Sequence, residues 1–206
     1  MTTTTAFAPR APASTERAFE FLQTNPRGTK PRGTGITEIR GPYYSVMGAR
    51  YLTDVLETMG SYVDSLKFAG GSFTLMPRRA LVELIELCHR HTVTVSTGGY
   101  IERVLTQGAG AVDRYVRECR DLGFDTIEIS SGFISLPSDD WMRLVERVQE
   151  AGLKAKPEVG IQFGAGGASP AADLVQLGTR NADWAIRLAR RFLEAGVDLI
   201  MIESEG

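Results

Sequence analysis

Leu153-Lys-Ala-Lys-Pro-Glu-Val-Gly160 is the stretch that decides the fold. Side chains alternate across an extended segment, so Lys154, Lys156 and Glu158 share one face, opposite Leu153, Ala155 and Pro157. Gly123-Phe-Asp-Thr-Ile-Glu-Ile-Ser130 has the same plan, with Ile127 and Ile129 opposed to Thr126, Glu128 and Ser130. A central strand of an open sheet is covered by apolar helices on both faces, where this much charge is costly. A barrel interior near its mouth can hold such groups around water or ligand. The expected class is therefore α/β, a (β/α) TIM-type barrel in preference to a doubly wound sheet.

Working outward, strand and helix alternate regularly. Strands are expected over 36–40, 65–69, 93–97, 126–130, 154–158 and 198–203, and helices over 48–62, 78–91, 111–122, 139–151 and 182–195. Apolar residues recur three and four apart, as in Leu81, Leu84, Ile85 and Cys88, or Trp141, Leu144, Val145 and Val148. Gly60, Gly123, Gly152 and Gly196 stand where helices give way to strands. A closed barrel has eight such units and roughly 250 residues. About six are readable here, so the expectation is an incomplete barrel: a domain over 16–206 lacking its C-terminal units, or one completed by another chain. A homo-oligomer is among the options. Residues 1–15, rich in Thr, Ala and Pro, read as a disordered tail, and 16–24 as a short helix.

Composition narrows the function. With 206 residues, 43% hydrophobic and 23% charged, the chain is ordinary for a globular domain. A net charge of −2 gives no electrostatic reason to expect nucleic acid or an anionic membrane, and no stretch approaches the roughly 20 apolar residues that span a bilayer. Two isolated cysteines, Cys88 and Cys119, suggest reduced thiols and a cytoplasmic setting. Pro-Arg-Gly-Thr occurs twice between Pro26 and Thr34; this basic loop reads as a solvated connection, with anion binding the alternative. The long loop between Gly160 and Asn181 reads as either a functional lid or a disordered segment, and its glycines match neither a Walker loop nor a dinucleotide fingerprint. His89 and His91 fall at the amino-terminal end of the barrel, away from the expected site.

Catalytic groups of parallel barrels sit at the carboxyl ends of the strands. Arg40, Lys67 and Lys156 are positioned there to hold a small phosphorylated or carboxylated substrate. Gly70-Gly71-Ser72 and Gly98-Gly99 follow strands directly, so their amides can face an anion, and Ser130 ends the fourth strand beside them. Glu128, Glu158 and Glu203 are candidate ligands for a hard cation, or else partners of Lys67, Lys154 and Lys156 in an interior charge network. A third possibility, Lys156 as a Schiff-base nucleophile, rests on position alone.

Six ordered motifs, Thr37-Glu-Ile-Arg-Gly-Pro-Tyr-Tyr44, Leu66-Lys-Phe-Ala-Gly-Gly-Ser72, Val95-Ser-Thr-Gly-Gly99, Gly123 to Ser130, Leu153 to Gly160 and Ile200-Met-Ile-Glu203, resemble the phosphosulfolactate synthase family, including its plant branch of heat-stress-associated proteins. The resemblance implies a (β/α) barrel that adds sulfite to phosphoenolpyruvate with Mg²⁺. Sulfite would attack the methylene carbon, cationic groups and the metal would stabilise the enolate, and an acid would protonate the α-carbon. The positions it carries over are Lys67, Glu128 and Glu158; a catalytic role for Lys156 beside Lys67 and Glu158, and metal binding by Glu203 beside Glu128 and Glu158, rest on strand-end position. Where the archaeal pattern has lysine after Glu-Val-Gly, this chain has Ile161 and Gln162, and Glu-Ile-Arg-Gly is nearer the plant branch. The alternative the resemblance carries is a non-catalytic stress-associated scaffold on the same barrel.

Overall fold

The computed structural model describes residues 17–41, 47–130, 132, 134, 136–160, 162–163, 179–180 and 182–203. The tail expected over 1–15, most of the long loop after Gly160, and residues 204–206 lie outside them. Strands β1 (Glu38–Arg40), β2 (Ser65–Lys67), β3 (Thr94–Ser96), β4 (Thr126–Ile129), β5 (Lys154–Gly160) and β8 (Met201–Glu203) form one parallel sheet, in that order. A short antiparallel pair, β6 (Gln162–Phe163) and β7 (Thr179–Arg180), stands apart from it. The described α-helices are α1 (Ala49–Met59), α2 (Arg78–Arg90), α3 (Ile101–Leu105), α4 (Ala109–Leu122), α5 (Ser138–Glu150) and α6 (Ala182–Glu194), with 3₁₀ turns at Gly60–Tyr62 and Ala69–Leu75.

The strand order never reverses. A doubly wound sheet reverses at its switch point, whereas a barrel adds each strand beside the last. The chain therefore has the winding of a barrel, and its described strands make part of one.

The core lies between sheet and helices. Leu66, Val95, Ile127 and Ile129 point outward from the strands and are fully buried against Leu52, Ile85, Val145, Val148 and Phe192 of the helices. Each such burial contributes about 1.5–3 kcal/mol. At Gly123, Gly152 and Gly196 the chain leaves a helix with φ of 96°, 81° and 81°, the left-handed turn that sends it into a strand. Gly60 differs: its φ is −57°, and the chain continues through a 3₁₀ turn, Gly60–Tyr62, before β2. The strands are shorter than the alternation predicts, except β5, which runs two residues further to Gly160.

Two expectations near the amino terminus change. The helix expected over 16–24 is a brief turn, in which Phe19 has φ of 60° and Phe21 is 81% exposed, so no apolar face is buried to support a helix. The basic loop is largely exposed, as expected of a connection, but its cations turn inward and do not form an open anion site. Arg27 and Arg32 bind Asp64 at 3.2 and 2.6 Å, Thr37 donates its amide to the same carboxylate at 2.9 Å, and Lys30 donates to the carbonyls of Gly60 and His91 at 3.0 and 2.7 Å. These cations brace the amino-terminal end of the sheet.

Candidate active site

The interior-facing residues can be placed from strand register alone. In a barrel, a level perpendicular to the axis climbs about one residue per strand, and each level draws side chains from alternate strands. Counted that way, Glu38, Ser96 and Lys156 share one level, from β1, β3 and β5. Lys67, Glu128 and Met201, from β2, β4 and β8, share the next. Arg40, Gly98 and Glu158 follow, and then Ala69 and Ser130.

Side-chain contacts agree with this layering. Lys67 Nζ donates to Glu128 Oε2 at 2.7 Å and lies 3.4 Å from Met201 Sδ, all within one level. Lys156 Nζ donates to Glu38 Oε1 at 2.7 Å within the level below, and stands 3.2 Å from Glu128 Oε2. Ser65 Oγ donates to Glu38 Oε2 at 2.9 Å. The result is a continuous chain of alternating charge, Glu38, Lys156, Glu128, Lys67, crossing the interior. Its inner members are almost sealed: the side chains of Lys156 and Glu128 are 3% exposed, and that of Lys67 is 11% exposed. Buried charges persist only when paired and hydrogen-bonded, and these are. Enclosed between two carboxylates, Lys156 offers a carbonyl substrate no open approach for Schiff-base attack.

Glu158 is buried one level above Glu128, and Glu203 ends β8 opposite Gly160. Of the three glutamates singled out as candidate metal ligands, Glu128 and Glu158 thus stand on successive levels. Among the described residues no three His, Cys, Asp or Glu side chains are gathered as a metal cluster. Arg40, on the edge strand β1, is exposed. Ser96 Oγ is buried with no hydrogen-bond partner among the described residues, in the level of Lys156.

The glycine turns are sterically required. Gly71 has φ of 71°, and a Cβ there would stand 2.0 Å from the Tyr100 ring; at Gly98, with φ of 63°, it would stand 2.7 Å from the carbonyl oxygen of Phe68. Gly70 shares the left-handed conformation, and Ser72 donates its hydroxyl to the Ala69 carbonyl at 3.4 Å. Gly99 lies against Ser130, whose hydroxyl donates to Glu102 Oε1 at 2.5 Å while its Oγ stands 3.2 Å from the Gly99 carbonyl oxygen. Glu102 was not anticipated, because α3 has five residues and no periodic signature. Glu38 was assigned no site role from the sequence; the layer count brings it to Lys156. His89, in the last turn of α2, stands 2.9 Å from Asp125, which precedes the amino-terminal end of β4.

Comparisons with known proteins place the chain in a family and bear on its fold. A family model described as (2R)-phospho-3-sulfolactate synthase (ComA) matches residues 25–206. The chain is 39% identical over 195 residues to Protein HEAT-STRESS-ASSOCIATED 32 of Arabidopsis thaliana, covering 90% of this chain and 68% of that protein. It is 31% identical over 187 residues to a phosphosulfolactate synthase of Methanothermobacter thermautotrophicus, covering 91% and 67%. The chain thus spans about two thirds of the length of these relatives. Among solved structures, 2,3-dimethylmalate lyase superposes with a TM-score of 0.52 at 13% identity, over 84% of this chain and 59% of that one. The putative phosphonomutase of Burkholderia cenocepacia J2315 superposes with a TM-score of 0.50 at 16% identity, over 81% and 68%. These two structural likenesses bear on the fold alone.

Proposed function

This chain belongs to the phosphosulfolactate synthase family, and from that premise we propose that it is a lyase-type enzyme adding sulfite to phosphoenolpyruvate or a related phosphorylated enolate precursor. The observation that carries the reading is the pair of enclosed ammonium groups, Lys67 and Lys156, held on either side of Glu128 at 2.7 and 3.2 Å. Fixed positive charge in a water-poor site stabilises an enolate as its charge develops, with little reorganisation.

In the proposed reaction the sulfur lone pair of sulfite forms a bond to the methylene carbon. The carbon–carbon π electrons move toward the substrate carboxylate, and the phosphate ester is retained. A proton is then delivered to the α-carbon. Lys67 Nζ, the more accessible of the two ammonium groups, is assigned that delivery, with Glu128 Oε2 receiving its hydrogen bond. Lys156 stays locked between Glu38 and Glu128 and keeps the positive charge in place. Arg40 and the turns at Gly70–Ser72 and Gly98–Gly99 are assigned to the substrate's anionic groups.

Magnesium fits this set in a limited way. The ion is commonly held by one or two carboxylates, with substrate and water completing its shell. Glu128 Oε2 is taken by the lysines, which leaves Oε1, with Glu158 one level above and Glu203 beyond it. When bound there it would polarise the substrate carboxylate.

The test is incubation of the full chain with phosphoenolpyruvate, sulfite and Mg²⁺, following product by mass. Formation of a sulfonated phosphoester is expected; a folded protein giving none would overturn the reading. The second reading, a non-catalytic stress-associated protein, is favoured by higher identity to the plant relative, 39%, than to the archaeal synthases, 31% and 27%. Ile161 and Gln162, standing where the archaeal pattern has lysine, point the same way.

A further inference from the structure

We infer that Glu102 is a positioning residue of this site: its carboxylate fixes the chain that follows β4, and so governs capture of the substrate and not the chemical step. The inference rests on the lyase reading above.

Glu102 is 5% exposed. A carboxylate at that depth is sustained only when donors satisfy its oxygens. Three donors converge on it among the described residues, and all belong to one segment. Ser130 Oγ and the Gly132 amide meet Oε1 at 2.5 and 3.0 Å, and the Ile134 amide meets Oε2 at 3.0 Å. Both oxygens of a rigid planar group are thus spent on backbone two residues apart, which sets the orientation of that backbone and not merely its distance.

The clamped segment begins two residues after Glu128, at the carboxyl end of the strand, where barrels bind their ligands. The clamp also abuts the charge network. A Cβ on Gly99 would lie 2.5 Å from Ser130 Oγ and 3.8 Å from Glu128 Oε1, so only the bare Gly99 backbone separates clamp from network. Ser130, read from the sequence as a substrate contact, has its hydroxyl engaged by Gly99 and Glu102. Its role follows Glu102's.

Glu102→Gln keeps the shape but turns an NH₂ group toward one of the two amides, while Glu102→Ala removes both acceptors. Steady-state kinetics with phosphoenolpyruvate and sulfite are paired with amide exchange at Gly132 and Ile134. Glu102→Gln is expected to raise KM for phosphoenolpyruvate about tenfold while kcat stays within about twofold, and to speed exchange at one or both amides about tenfold, with α2 unaffected. An unchanged KM, a fall in kcat at constant KM, or unaltered amide protection would each overturn the inference. Should Glu102→Ala not fold, the Gln variant carries the test. Wild-type protein without turnover would refute the reaction instead. The clamp is then decided by exchange and by binding of phosphoenolpyruvate alone: weaker binding to Glu102→Gln supports it, and equal binding, or none to either protein, overturns it.

Discussion

The Lys156 ammonium stands 2.7 Å from Glu38 Oε1, although the residues are 118 positions apart and their strands, β5 and β1, are not neighbours in the sheet. The same nitrogen reaches Glu128 Oε2 at 3.2 Å. One group therefore ties three strands together across the interior, and removing it leaves the buried Glu128 and the half-buried Glu38 short of counter-charge. Lys156→Met, close in length, is expected to lower stability by about 3 kcal/mol. A Lys156→Met/Glu38→Gln double variant should regain part of that loss. Urea denaturation of the full double-mutant cycle checks this, and a coupling below about 0.5 kcal/mol would show that the pair adds little.

Asp64 carries a similar burden at the other end of the barrel. It accepts from Arg27, Arg32 and the Thr37 amide, and the Arg32 side chain is only 7% exposed. Asp64→Asn should cost about 2 kcal/mol, through loss of charge opposite two guanidinium groups. Because the pair with Arg32 is sheltered, the cost should persist at high salt. Comparing urea midpoints at low and high ionic strength decides between this and a screened surface contact.

Ser96 makes the opposite prediction. Its hydroxyl is buried without a partner among the described residues, and such a group weakens the fold by its lost hydration. Ser96→Ala is expected to leave thermal stability unchanged or to raise it by about 1 kcal/mol. A clear loss on calorimetry would mean that the hydroxyl is bonded in solution.

The two thiols give the chain an alkaline limit. Burial pushes Cys88 and Cys119 from the ordinary 9.0 up to about 12. Between those values the unfolded chain releases protons that the native chain retains, so this contribution is complete below about pH 9 and is lost as pH rises toward 12. Burial also raises the Tyr115 phenol, which acts in the same direction. Thermal midpoints should fall above about pH 9, less steeply in a Cys88→Ala/Cys119→Ala variant. Native protein near pH 8 should resist thiol reagents until it is unfolded.

Much of the fold was legible in the sequence, because a strand's period of two and a helix's of 3.6 survive in the apolar residues that build the core. Ile127 and Ile129 mark the helix-facing side of β4 as plainly as Glu128 marks the interior. What stayed hidden depends on neighbours that no single segment encodes. Lys67 and Lys156 were readable as candidates, yet their sharing of Glu128 requires the register of four strands. Glu38 needs the same register. Glu102 sits on one and a half helical turns, too few for periodicity to show, and Arg27, Lys30 and Arg32 reach partners 29 to 61 positions away. Composition makes such a loop look solvated.

The span of the Glu38–Lys156 contact also bears on the order in which the chain folds. Closing a loop of that length is entropically slow compared with forming the local strand–helix units along it. The contact needs curvature as well as pairing, so it forms only after β1 to β5 have assembled. It acts as a closing latch and not as a nucleus. Losing it should therefore speed unfolding and leave the refolding rate nearly unchanged.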